Sequence, residues 1–209
     1  MAEKKAYFTL EKEGFATLTE KRSEFLAYAK PVTTEAEAMA FVEQIRKKYP
    51  DARHTVFAYL LSSGGMRYSD DGEPQGSAGM PVLDIIRKGG FTDAVITVTR
   101  YFGGILLGTG GLVRAYSGAA KLAVAEAEVI ELIPYDLVRF AVDYGMYQRV
   151  LYELKNYHAT EEATDFGAEV TLTLSLPTEY TRPLQERMIA LTNGKVSAEV
   201  VGSRYGRRI

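Results

Sequence analysis

Hydrophobic spacing along the chain changes between a two-residue and a 3.6-residue period, and each change marks an element. Residues 15–18 and 24–32 mix aromatic and β-branched side chains and predict one or two strands. Thr34-Glu-Ala-Glu37 has the form of a capping box, with Glu37 reaching back to the Thr34 cap. Ala38, Phe41, Val42, Ile45 and Tyr49 then recur at helical spacing, and the helix must end before Pro50. Residues 55–61 are apolar on both faces, as in a buried strand. A turn at 62–65 and a short strand near 66–68 follow. Residues 69–81 carry too much glycine and proline for a regular element, and Pro81 suits the first turn of a helix running from Gly79 or Met80 to Gly89. Residues 93–100 form the strongest strand signal. A second glycine loop, 101–108, leads to a long alanine-rich helix capped by Thr109 and reaching about Ile130, with Leu112, Tyr116, Ala119, Ala123 and Ala127 along one side.

Beyond Pro134 the expected order is strand 135–142, helix 144–157, strand 160–166, strand 168–176, helix 182–191 and strand 196–204. Tyr147, Val150, Leu151, Leu154 and His158 make one stripe of the first helix, and Asn193-Gly194 is a suitable stop for the second. A βαββαβ order of this length is the ferredoxin-like arrangement. The chain therefore reads as α+β, with domains at 1–132 and 133–209.

Composition removes several chemistries. Of 209 residues none is cysteine, which excludes disulfide partners, thiolate metal sites and cysteine nucleophiles. Two histidines, His54 and His158, cannot build a multi-histidine zinc centre, and no metal or cofactor is expected. The net charge of −2 means that nucleic-acid binding requires a local basic patch. No signal-peptide core or spanning apolar run is present, so the expectation is a cytoplasmic protein away from membranes.

Three groups of residues could carry chemistry. Asp70, Asp71 and Glu73 could hold a hard cation or act as an acid–base pair, or serve the turn itself. Gly76-Ser-Ala-Gly79 and Gly108-Thr-Gly-Gly111 each place small residues at a helix start, where amides and dipole favour an anion. Gly76, Ser77, Gly103, Gly104, Thr109, Gly110 and Gly111, with Arg53, Arg100 and Arg114, are thus the candidate phosphate or RNA contacts. Close helix packing and an Arg100 pair with the acidic loop are the alternative. Neither loop has the spacing of a Walker or dinucleotide motif. His54 could serve as a general base with Ser69 or Ser77, but no nucleophile elbow supports it. The tail adds Arg204, Arg207 and Arg208 around Tyr205, a composition suited to bases and phosphates and also common in ordinary termini.

Ala52-Arg-His-Thr-Val-Phe-Ala-Tyr59, the segment from Ser69 to Pro81 and the segment Arg100-Tyr-Phe-Gly-Gly-Ile-Leu-Leu-Gly-Thr-Gly-Gly-Leu-Val-Arg-Ala-Tyr116 together resemble the YigZ/IMPACT family. That resemblance implies an IMPACT domain similar to a ribosomal-protein second domain of βαβ type and to domain IV of elongation factor G. It also implies a C-terminal domain similar to domain V of that factor. Eukaryotic members regulate translation with an additional N-terminal domain absent from these 209 residues, so that role is not carried over. For bacterial members the implied partner is RNA or the ribosome, with no assigned reaction. Many members place histidine or asparagine and then cysteine after the position of His54; Thr55 and Val56 stand here, which weakens any His–Cys catalysis. The expectation is a translation-associated regulatory protein that binds RNA or the ribosome. The competing readings are an enzyme on a phosphate-bearing or peptide-like substrate at a glycine-loop cleft, and an interaction module with an exposed apolar patch at Ile105-Leu-Leu107.

Overall fold

A computed structural model describes residues 4–208 as an α+β chain of two compact units. One is Tyr7–Glu131. It contains β1 (Tyr7–Leu10), β2 (Gly14–Glu20), β3 (Ser23–Pro31), α1 (Glu35–Lys48), β4 (His54–Leu60), β5 (Met66–Ser69), α2 (Gly79–Gly89), β6 (Ala94–Tyr101) and α3 (Gly108–Ala127). Strands pair in the order β2-β3-β6-β4-β5, antiparallel throughout. Helix α1 covers one face, where Phe41, Val42 and Ile45 meet Tyr28, Phe57, Tyr59 and Val95. Helices α2 and α3 cover the other, with Leu83, Ile86, Tyr116 and Ala120 against Phe25, Val56, Ile96 and Val98. The central strand β6 is covered on both sides, which is why every residue from Ala94 to Arg100 is buried and its Val, Ile and Thr run does not alternate buried with exposed positions.

Local chemistry explains the boundaries. Thr34 caps α1 by accepting from the Glu37 amide at 3.2 Å. The return bond differs from the expected box: the Glu37 carboxylate takes the Thr33 amide, at 2.7 Å, one residue further out. Helix α3 corrects the expectation for Thr109, which lies inside the first turn; the cap is Leu107, which has no side chain able to accept. The helix also stops at Ala127 rather than near Ile130, because Glu128 takes a positive φ of 59°.

The second unit joins described residues 4–6 to 132–208. Its elements are β7 (Val129–Val142, beginning just before the unit boundary), α4 (Tyr144–Leu154), β8 (Thr160–Phe166), β9 (Val170–Pro177), α5 (Thr181–Leu191) and β10 (Glu199–Arg207). The order β10-β7-β9-β8, all antiparallel, is the ferredoxin-like sheet, with α4 and α5 packed on Val138, Phe140, Leu172, Leu174 and Leu176. Asp143 caps α4 through the Met146 amide at 2.9 Å.

Three details depart from the sequence reading. Pro134 sits within β7, opposite Tyr205, rather than between elements. Helix α4 ends at Leu154 and tightens into a single 3₁₀ turn, so His158, at φ 50°, leaves the predicted stripe and rests on the Tyr180 ring. The last strand lies three residues later than expected, which makes the arginine tail a paired strand: Lys4 donates to Ser203 Oγ at 2.8 Å, and the Tyr205 hydroxyl donates to the Lys5 carbonyl. Among the described residues no helix is long and apolar enough to cross a membrane.

Candidate nucleic-acid interface

Sheet register gathers the predicted residues of the first unit at one end. Glu20 pairs with Ser23, Glu24 with Tyr101, His54 with Arg100 and Phe57 with Ser69. The β2–β3 turn, the chain before β4 and the loops after β5 and β6 therefore emerge together. Helix α3 lies directly on β2, where a Cβ on Gly14 would fall 2.4 Å from the Ala127 nitrogen. Gly118 of that helix lies beside Leu18, so α3 runs opposite to β2 and starts at the same end.

The acidic loop is built inward. Asp70 accepts from the amides of Gly76 (2.9 Å), Ala78 (3.0 Å) and Gly79 (2.8 Å), and so occupies the N-terminus of α2 with the chain's own carboxylate. Asp71 accepts from the Thr55 amide at 2.7 Å and from Arg46 at 3.1 Å. Its carbonyl lies 2.7 Å from His54 Nδ1, and since a carbonyl only accepts, the proton sits on Nδ1. Glu73 is buried and accepts through one oxygen from Arg100 at 2.7 Å and from the Tyr116 hydroxyl at 2.8 Å. Burial, and then the Glu73 charge, drive the Tyr116 phenol far above its ordinary pKa. Ser77, 1% exposed, donates to the Pro74 carbonyl at 2.6 Å, and Ser69 Oγ accepts the Asp71 amide.

These contacts revise the anion site. Gly76 and Ser77 do not offer open amides: Asp70 holds the Gly76 amide, where a phosphate would sit, and the Ser77 amide donates to the Pro74 carbonyl. Arg100 is not a surface cation: its side chain is 8% exposed and paired with Glu73. Its guanidinium lies 5.6 Å from the Phe25 ring centre and 5.4 Å from that of Phe102. The Ser23 hydroxyl accepts the Gly103 amide at 3.2 Å. A Cβ on Gly103 would come within 2.0 Å of the Arg22 carbonyl, so that glycine serves close packing. His54 and the three carboxylates do not border the 660 Å³ cavity between α2 and α3, whose lining is mainly Met80, Ile85, Phe91, Val113 and Val124. Among the described residues no cluster of three or more His, Asp or Glu side chains forms a metal-ligating group.

What remains open at this end, beside the exposed Glu20 and Glu24, is cationic and apolar. Arg53, before β4, and Arg114, in α3, are exposed, and so are Lys21 and Arg22 in the β2–β3 turn. That pair is not among the residues singled out from sequence; the available signal was two consecutive cations between residues 15–18 and 24–32. Arg114 lies one turn into α3, beside the start Gly108-Thr109-Gly110-Gly111, which no side chain caps. Phe102, Ile105 and Leu106 project from the loop, 50%, 41% and 82% exposed, where Gly104 and Gly108 adopt positive φ. The tail arginines belong to the other unit, where Arg204 pairs with Glu162 and donates to Ser175 Oγ at 3.2 Å. Arg207 closes β10 and Arg208 follows it.

A two-domain α+β chain with this glycine-loop end matches the Impact N-terminal domain over residues 21–124 and a domain of unknown function, DUF1949, over residues 140–195. It is 32% identical over 192 residues to the IMPACT family member YvyE of Bacillus subtilis, covering 91% of this chain and 88% of that one. An IMPACT family member of Thermus thermophilus is 40% identical over 75% of this chain and 86% of its own length. YigZ of Escherichia coli is 31% identical over 84% and 88% respectively. A crystal structure described as that of a hypothetical protein superposes with a TM-score of 0.61 at 27% identity, across 96% of this chain and 99% of the other. The chain belongs to the IMPACT family.

Proposed function

We propose that this protein binds RNA, free or within the ribosome, as a cytoplasmic regulator associated with translation. The contact surface on this reading is the loop end of the first unit. The observation that supports it is the segregation of charge: the acids of the loop turn inward onto amides, Arg46 and Arg100, while Lys21, Arg22, Arg53 and Arg114 remain exposed without an ion pair among the described residues. Phosphate contacts need such free cations, and the overall charge of −2 does not supply them. The enzyme reading has less support, since Asp70 is held by amides, Asp71 by the Thr55 amide and Arg46, and Glu73 by Arg100 and Tyr116.

Affinity for ribosomal subunits and single-stranded RNA, measured across a salt series, tests the proposal. Removing Lys21, Arg22 and Arg114 together should flatten the log–log salt slope by about 2, at roughly 0.7 per lost phosphate contact on a single strand. An unchanged slope, or no binding by the unmodified protein, overturns it. Arg100 is left intact in this design because its loss would strand Glu73.

A further inference from the structure

We infer that Phe102 is a stacking platform for an unpaired nucleobase whose flanking phosphates lie on Lys21, Arg22 and Arg114; this rests on the RNA reading above and names what that site reads. The ring is fixed on one side and open on the other. Beneath it lies the Arg100 guanidinium, 5.4 Å from the ring centre, itself over Phe25 and clamped by Glu73. Phe102 as a residue is 50% exposed, so much of it remains open to a ligand. A ring already ordered in the free protein loses little side-chain entropy when a base covers it. Every base has a π-face, so the platform accepts single strands without reading sequence, whereas a duplex keeps its bases stacked on one another.

Lys21 and Arg22 are placed to match. Gly103 is packed against the Arg22 backbone so tightly that no Cβ would fit, which fixes the Lys21-Arg22 turn beside Phe102. Its neighbours Ile105 and Leu106 present apolar surface on the same short loop. An aromatic face with free cations at its rim suits a base and its phosphates better than it suits a purely apolar partner, which would leave those charges facing no counter-charge.

The chain has no tryptophan, so Phe102→Trp in the full-length protein supplies a single indole at the platform. Oligoadenylate should quench that indole along the same binding curve that anisotropy reports, while inorganic polyphosphate and duplex RNA should bind without quenching. Phe102→Ala should weaken oligoadenylate roughly 5- to 100-fold, and Phe102→Tyr should restore it; circular dichroism of each variant verifies the fold. Oligoadenylate binding with no quench and no loss in Phe102→Ala overturns the platform and leaves the RNA reading standing. Equal quenching by polyphosphate also overturns it. Failure of every nucleic acid to bind removes both.

Discussion

Arg100 can lie 8% exposed only because Glu73, itself 4% exposed, faces it at 2.7 Å. Burying such a pair gains little net free energy, but removing one partner strands a charge in the core, at a cost of about 3–5 kcal/mol. Glu73→Ala should therefore lower urea stability by about that amount. Tyr116→Phe, which removes one hydrogen bond to a charged acceptor, should cost about 1.5–3 kcal/mol by the same measurement. The tyrosines carry a second prediction. Burial and a bond to Glu35 push the Tyr59 phenol up to about 12, and burial with Asp51 does the same for Tyr101, against 10.0 for an unperturbed phenol. The unfolded chain loses these protons first, so stability should fall as pH rises from 10 towards 12. Replacing both with Phe should flatten that decline in denaturant titrations.

Among the elements, α2 shows how a cap can hide a candidate site. Asp70 lies outside the helix by nine residues, yet its carboxylate holds the amides of Gly76, Ala78 and Gly79. Asp70→Ala should cost about 2 kcal/mol, at the upper end for a helix cap, and hydrogen exchange should speed up at those three amides. Periodicity and caps made most elements legible: the spacing of Ala38 to Ile45, the Pro81 start and the β-branched run of β6 each follow from local rules. The site was less so. The turn reading of Asp70-Asp71-Gly72-Glu73 and the Arg100 pair were legible as alternatives, with the Asp70 amides 6 to 9 positions on. The choice of Thr55, Arg100 and Tyr116 as partners of Asp71 and Glu73 was not, since these lie 16 to 43 positions away. Lys21 and Arg22 escaped notice for the opposite reason: an isolated turn carries no period, and only the register with β6 shows what stands beside it. Thr109 was misplaced because a threonine before an alanine-rich run looks like a cap whether or not the helix has already begun.

For the molecule as a whole, 27 acidic residues oppose 25 basic ones, so on the proposed RNA reading the net charge works against a polyanion and only the local cations of one end work for it. Glu20 and Glu24 are exposed carboxylates flanking the Lys21-Arg22 turn. Glu20→Gln with Glu24→Gln should raise RNA affinity at low salt by about 2- to 5-fold, the size of exposed charge effects. The gain should fade at high salt in the same anisotropy titrations. The β7 strand adds a constraint of its own: 14 residues long, it pairs with β9 along one edge and β10 along the other. An insertion within it would shift the strand register, and alternating side chains would trade faces.

The Asp70 cap has a consequence for how this molecule meets its ionic surroundings. A tethered carboxylate is present at an effective concentration in the millimolar range or above, so a dissolved phosphate or sulfate competes poorly for the amides it holds. The helix start that looks most welcoming on paper is thus insulated from the medium, and at this end sensitivity to electrolyte is left to Lys21, Arg22, Arg53 and Arg114.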